Sequence, residues 1–93
     1  MLSQRDAEKY LFGCDHAAAV TPSDAGGLNL GGVPAPSACR RLYVGGAGSV
    51  KIDTQGGETA VVFAAVAAGT FLDVHATRVY ATGTTATAIV ALW

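Results

Sequence analysis

The sequence predicts a small all-β protein, an antiparallel β-sandwich or open barrel that carries an extended N-terminal arm. Three observations predict this fold class. Short apolar runs alternate with glycine-rich turns through the second half of the chain. Their connections are too short for the helix of a parallel crossover. All three prolines lie before residue 37, which keeps that stretch out of a central strand. The chain therefore divides into an arm, residues 1–37, and a β domain, residues 38–93.

The arm opens with a mixed-charge stretch that predicts a short helix over residues 4–12, with Ser3 as its N-cap and Gly13 as its end. Tyr10, Leu11 and Phe12 form an apolar triplet within it. The residues leave two destinations open for this triplet, its own domain or another chain. Residues 21–37 combine prolines with paired glycines, so we expect them to be irregular or extended.

The β domain contains five predicted strands, within residues 39–44, 49–54, 59–66, 72–79 and 87–93. Residues 49–54 alternate between apolar and polar side chains, which is typical of a half-buried strand. Residues 59–66 are apolar on both faces and predict a strand that is covered on both sides. A change of phase at Thr77 and Arg78 predicts a β-bulge.

The glycines of residues 45–48 predict a hairpin turn between the first two strands of the domain. A phosphate-binding loop is the alternative interpretation of such a cluster. That loop would open a helix and carry a Lys-Ser/Thr pair, whereas here the chain continues as Ser49, Val50 and Lys51 into a strand. We therefore predict turn glycines and no nucleotide site.

Charge is sparse, since only 14% of the residues are charged and the formal net charge is −1. Globular proteins average about a quarter. This balance supplies no field for nucleic acid or an anionic membrane, and residues 60–68 are too few to span a bilayer. No signal peptide is evident, so we expect synthesis in the cytoplasm with reduced thiols. Residues 60–69 and 83–93 carry no charge, which predicts that these strands meet other subunits.

Candidate catalytic and metal-binding residues are few. Cys14, Asp15 and His16 are adjacent, and neighbours on an extended segment point in alternate directions, so they do not form a catalytic triad. Zinc ligation by Cys14, His16, Cys39 and His75 lacks the paired spacing of structural zinc sites. We therefore predict no enzyme, no metal and no cofactor, and a Cys14–Cys39 disulfide stays open.

Two further features point to a partner surface. Arg40 and Arg41 point to opposite faces of a strand, which favours an interfacial salt bridge over nucleic-acid contact. Trp93 closes the sequence and is either a plug of the local core or an anchor on a neighbouring subunit. The predicted partner interface consists of Tyr10, Leu11, Phe12, Arg40, Arg41 and Trp93.

A carbohydrate-binding module is the alternative function. In that interpretation Tyr43, Tyr80 or Trp93 would stack on sugar rings. These three residues lie in apolar runs, which suits burial better than a sugar site. A small hydrolase built on Cys14 has the least support.

Four segments resemble one family, the head spike base proteins of phage-like gene transfer agents and related tailed-phage virion proteins. These segments are residues 19–24, 41–51, 68–70 and 78–93. The last is the most specific, because a threonine-rich turn precedes Ile-Val-Ala-Leu and a terminal aromatic residue. Residues 26–32 depart from the family pattern as a glycine-rich insertion.

The resemblance implies a virion structural protein, made in the bacterial cytoplasm and located in the particle head. It implies a homo-oligomer, with a pentamer favoured, that sits on capsid vertices. Its implied partners are the major capsid protein and a spike fibre protein that contacts recipient-cell polysaccharide. The family brings no catalytic residue, so none transfers to this chain.

Overall fold

The computed structural model describes residues 14–93. The predicted helix over residues 4–12 and the apolar triplet lie outside this range. The described residues form seven strands and no helix, which confirms the all-β class. The strands are β1 (Ala17–Ala19), β2 (Arg41–Gly46), β3 (Gly48–Thr54), β4 (Val61–Val66), β5 (Thr70–Leu72), β6 (Ala76–Val79) and β7 (Thr87–Leu92).

The strands form two antiparallel sheets around one core. Sheet A has four strands in the order β1-β7-β2-β5, and sheet B has three in the order β4-β3-β6. Leu42 and Val44 of β2 and Val50 and Ile52 of β3 are fully buried. Because the inward residues of both sheets belong to one buried cluster, the protein is a small sandwich.

Part of the predicted arm joins this sandwich. β1 pairs with β7, and Val20 and Leu30 belong to the core. Alanine is depleted in strands, so the three alanines of β1 gave no strand signal and adopt this structure by pairing with β7. Residues 21–37 contain no strand, in agreement with their prolines. A domain boundary between residues 37 and 38 stays a prediction.

The predicted hairpin at residues 45–48 is wrong. β2 ends at Gly46 and β3 begins at Gly48, yet the two strands belong to different sheets. The glycines are needed for close approach to the start of β7. A Cβ atom at Gly46 would collide with the Thr87 side chain, and one at Gly48 would lie 2.5 Å from the Ala86 backbone nitrogen. The chain therefore passes from one sheet to the other where no side chain fits.

The two-sided cover predicted for residues 59–66 is also wrong for the single chain. β4 is an edge strand, bonded to β3 on one side. Val61 and Phe63 pack against the core, whereas Val62 on the other face is 52% exposed. The apolar outer face follows from the sequence, but nothing in this chain covers it among the described residues.

Both edges of sheet B contain a bulge. Asp53 pairs with Arg78 and Thr54 with Ala76, so Thr77 is the extra residue and the bulge predicted at Thr77 and Arg78 is confirmed. A second register shift follows Gly48 on β3. It places the extra residue of β4 at Ala64 or Ala65, and Ala65 has the left-handed φ of 55°.

Candidate assembly surfaces

The outer strands of the two sheets are candidate assembly surfaces. The backbone hydrogen bonds show which residues of each outer strand direct their N–H and C=O groups away from the sheet. Directly before β1, His16 donates its N–H to the Trp93 carbonyl at 2.7 Å, and its own carbonyl accepts the Trp93 N–H at 2.9 Å. Successive residues of a strand direct their N–H and C=O groups to opposite sides. Ala17 and Ala19 therefore direct theirs away from β7, toward the open edge.

The same reasoning orients β4. The Lys51 carbonyl accepts the Tyr80 N–H at 2.8 Å, so the backbone groups of Lys51 face β6. Lys51 pairs with Val62 on its other side, and this pair is consequently not hydrogen-bonded. Val62 therefore directs its N–H and C=O away from β3, and its side chain is half exposed.

The edge of β5 is oriented in the same way. The backbone N–H and C=O of Trp93 point toward β1, so those of the preceding residue, Leu92, point toward β2. The backbone groups of its partner Arg41 therefore point toward β7. By alternation Tyr43 also faces β7, so its pair with Phe71 is not hydrogen-bonded. Phe71 therefore directs its N–H and C=O outward, and its side chain is 46% exposed.

β4 and β5 lie on one flank of the sandwich. Only residues 67–69 connect them, and three residues span on the order of 10 Å, about the separation of two packed sheets. We call β4, β5 and this connection the open flank. No charged residue lies between Glu58 and Asp73. Val62, near the start of β4, and Phe71, in the middle of β5, are two of the three large hydrophobic side chains that are exposed in residues 14–93.

The outer edge of β6 is occupied by the chain itself. Ser23 donates its N–H to the Val79 carbonyl at 2.9 Å, and Cys39 donates its N–H to the Ala76 carbonyl at 3.0 Å. These bonds use the outward carbonyls of the strand. We call β6 with its covering residues the closed edge, because no further strand can pair there without displacing them.

Polar side chains fasten the loop that covers the closed edge. Asp24 accepts the Thr82 N–H at 2.9 Å and the Thr82 hydroxyl at 2.6 Å. These two bonds hold the pKa of Asp24 below its usual value. Arg78 donates from Nε to the Gly26 carbonyl at 2.5 Å. The loop is thus tied to sheet B at two points.

Sheet B carries a second polar network on its outer face, centred on Asp53. The Tyr80 hydroxyl donates to Asp53 at 2.6 Å and the Ala60 N–H donates at 2.9 Å. The Tyr80 bond, with the Ala60 bond next, lowers the pKa of Asp53, and the same contact raises the pKa of Tyr80. Arg78 lies 3.5 Å from the second carboxylate oxygen. The network joins β3 and β6 to the start of β4, and its role is structural.

The structure separates the predicted interface residues that it describes. Arg40 and Trp93 line one shallow cleft of about 350 Å³, together with Asp15, His16 and Pro36. The Trp93 ring stacks on His16 with a centroid separation of 5.4 Å. This stacking places the C-terminal residue against the segment that leads into β1.

Arg41 lies beside the open flank instead. Its Nε is 2.5 Å from Asp73, and its guanidinium lies 4.3 Å from the centre of the Phe71 ring. The Arg41 pair therefore stays within the chain, and an interfacial salt bridge from Arg40 or Arg41 stays a prediction. Sequence reasoning expected the charge-free residues 60–69, which include Val62, to meet other subunits, but it did not single out Val62 and it missed Phe71. The signal for Phe71 is that the uncharged run extends from residue 59 to residue 72.

The sugar-binding rings of the alternative function already have contacts. Tyr43 packs on Phe71 at 5.1 Å, and Tyr80 lies under the Lys51 ammonium at 5.0 Å. Trp93 stacks on His16. A sugar would have to displace these contacts to stack on the same ring faces.

The residues considered for chemistry do not converge. Within residues 14–93, no group of three or more His, Cys, Asp or Glu side chains is placed to hold a metal ion. Cys14 and Cys39 are both free thiols, and burial raises the pKa of Cys39. No helix of the described part is long and apolar enough to cross a membrane.

No protein-family model matches the chain, and no curated protein matches it in sequence. A solved structure does: one chain of the structure described as "Capsid of native GTA particle computed with C5 symmetry" is 31% identical, over 86% of this chain and 83% of that chain, with a TM-score of 0.68. This chain belongs to the family of that GTA capsid chain. The resemblance seen in the sequence is thereby confirmed at the level of GTA capsid proteins, and the narrower role of head spike base is a proposal.

Proposed function

We propose that this chain is a structural component of a phage-like virion and, within it, the oligomeric base of a head spike at the capsid vertices. The observation that carries the proposal is the 31% identity, over most of both chains, to a chain of a GTA capsid. The sequence features of residues 41–51 and 78–93 support the narrower role. The same match supports a role in the particle without catalysis. Synthesis in the bacterial cytoplasm stays a prediction.

The proposed assembly is a homopentamer. The related capsid structure was computed with C5 symmetry, and a five-fold vertex accepts five identical copies without breaking that symmetry. The sparse charge of this chain supports close contact between copies, because few like charges oppose it.

The proposed partners are the major capsid protein and a receptor-binding spike fibre. Their contact residues are drawn from Tyr10, Leu11, Phe12, Arg40, Arg41 and Trp93. Arg40 and Trp93 are the best pair to test, since they line the same cleft. An aromatic ring beside a guanidinium is the combination that dominates many protein interfaces. The carbohydrate-binding alternative is less well supported, because the rings of Tyr43, Tyr80 and Trp93 already have contacts within the chain.

Electron microscopy of the particles tests this role. Particles from the producing bacterium should show density at the five-fold vertices, and deletion of the gene for this chain should remove both that density and the attached fibre. Complementation with the unchanged gene should restore them. Unaltered vertices in the deletion strain would contradict the proposal.

The cleft is tested by Arg40→Ala and Trp93→Ala in the same complementation. We expect reduced occupancy of the vertex or the fibre position with particle yield unchanged. The matched control is Val33→Ala, which truncates a hydrophobic side chain that is 46% exposed and outside the cleft.

A further inference from the structure

The open flank has outward backbone groups to which a further strand can bond. Val62 and Phe71 each direct an N–H and a C=O outward, as derived above from the bonds of Lys51 and Trp93. β4 is the longer of the two edges, with six residues against three. In the described part of the chain, no backbone bond other than the pairing with β3 is made by residues 61–66.

Natural proteins protect such edges with charge, proline or cover. The open flank has no charged residue and no proline between residues 59 and 72. Its bulge near Ala65 interrupts the edge only toward the end of β4. The first half of β4, with its exposed Val62, is therefore left as a pairing surface.

The chain also carries a second strand edge on the opposite flank. β1 and β5 are the two outer strands of sheet A. Ala17 and Ala19 direct their N–H and C=O groups away from β7, as shown above, and their small side chains leave room for an approaching strand. The remaining edge, β6, is closed by Ser23 and Cys39. Among residues 14–93, each flank therefore has a strand edge without a partner. This arrangement lets one copy pair with the next in the same direction, and such contacts form a ring when the rotation between copies closes.

The geometry points to strand pairing between copies, in which the β4 edge of the open flank, centred on Val62, receives the β1 edge of a second copy of this chain. The backbone groups on offer are those of Ala17 and Ala19 on β1 and those of Val62 on β4, which lies ahead of the bulge. This inference rests on the proposed homopentamer and assigns the surfaces that would form it.

Light scattering of the purified chain tests the assignment. We expect the unchanged protein to run as a pentamer at micromolar concentration. Val62→Lys should remove the pentamer, because a charge would then lie in the strand contact. Val33→Lys is the matched control, since Val33 is similarly exposed but lies outside both edges, and it should leave the pentamer intact.

A proline variant tests the other edge. Ala17→Pro removes an outward N–H and leaves the β7 pairing bonds in place, so it should also give monomers, whereas Ala17→Ser keeps the N–H and should keep the pentamer. Circular dichroism verifies that each variant is folded. If Val62→Pro is folded, it should behave as Val62→Lys does.

A mixing experiment separates the head-to-tail contact from a symmetric one. Val62→Lys retains a working β1 edge and Ala17→Pro retains a working β4 edge, so an equimolar mixture should form heterodimers and nothing larger. Pentamers that persist in Val62→Lys would overturn the assignment while leaving the proposed ring in place. If Ala17→Pro alone still assembles, the β1 edge is not the partner. A folded, unchanged protein that stays monomeric and does not bind particles would instead refute the proposed ring itself.

Discussion

The two outer strands of sheet B, β4 and β6, flank the same central strand, but only one of them has its outer edge covered by other residues of the chain. At β6, the backbone of Ser23 and Cys39 bonds the outward carbonyls, and Asp24 fastens the covering loop. At β4, the described chain provides no such cover, and the exposed side chain is Val62. Among the described residues, folding covers the outer edge of β6 and leaves that of β4 without a partner. The difference shows that low charge alone does not define a contact surface, because charge and cover have to be compared edge by edge.

The largest expected effect on stability comes from a substitution in β3, the central strand that pairs with both β4 and β6. Ile52→Ala empties a fully buried site on β3 and should lower the free energy of unfolding by about 2–5 kcal/mol. Urea unfolding followed by circular dichroism measures this change. Val33→Ala is the control, because this half-exposed side chain lies outside every strand and its truncation should cost at most about 0.5 kcal/mol. Equal losses for the two variants would contradict the burial of Ile52.

A smaller loss of stability is expected from a substitution at Gly48, where the chain passes from one sheet to the other and pairs with Val66 at the end of β4. Gly48→Ala places a Cβ atom 2.5 Å from the Ala86 backbone nitrogen, and such overpacking costs about 1–3 kcal/mol. Gly27→Ala is the matched control, since its nearest atom would be the Thr77 carbonyl oxygen at an ordinary 3.6 Å. Thermal melting of both variants tests this. An unchanged melting temperature in Gly48→Ala would contradict the close approach.

Acid should weaken the closed edge before the open one. The pKa values of Asp24 and Asp53 are lowered in the folded chain, so both carboxylates stabilise it above their unfolded value of about 3.9. That stability is lost as pH falls from there through the lower folded pKa values. The protection factor of the Ser23 amide, whose bond to Val79 closes β6, should then fall between neutral pH and pH 3 by more than that of the Phe63 amide of β4.

The Asp24→Asn variant provides the comparison for the acid experiment. This substitution should lower the protection factor of the Ser23 amide already at neutral pH. The further fall of that protection factor on acidification should then be smaller than in the unchanged chain. Equal acid response in the variant and the unchanged chain would show that another group controls the loop.

The smallest expected effect is a gain in stability. Ala65 adopts a φ of 55° in the bulge of β4, which costs about 1–2 kcal/mol for a residue with a Cβ atom. Glycine removes that cost but adds about 0.5–1 kcal/mol of backbone entropy to the unfolded chain. Ala65→Gly should therefore stabilise the protein by about 0.5 kcal/mol, measured by urea unfolding. Ala67→Gly, outside the left-handed region, should destabilise it instead.

The sequence was sufficient for the fold class and for β2, β3, β4 and β7. The single strand predicted within residues 72–79 is wrong, because that range holds the end of β5 and all of β6, which lie in different sheets. The alternation of Val50 and Ile52 with polar neighbours predicted β3, and the change of phase at Thr77 predicted the bulge of β6. These signals are local, since they depend on period and on side-chain type. β1 gave no such signal, because three alanines form a strand only where β7 offers its edge.

The remaining errors concern contacts between distant residues. The glycines at 46 and 48 look like a hairpin turn until Thr87 and Ala86 are placed beside them. The orientation of Val62 depends on which side of β3 bonds to Tyr80. The contact of Arg41 with Asp73, which the sequence did not indicate, depends on a residue 32 positions further along the chain, just after β5. Tertiary pairing decides each of these features, and a single sequence does not contain it in readable form.

The passage from β2 through Gly46 and Gly48 into β3 also has a mechanical consequence. Residues 41–54 form one nearly uninterrupted extended ribbon that contributes a central strand to each sheet. Tension applied to either sheet is therefore transmitted along covalent bonds to the middle of the other, without a flexible loop to absorb it. Under an external pulling force, the two sheets would therefore deform together, and the structure would fail when whole strands shear past one another.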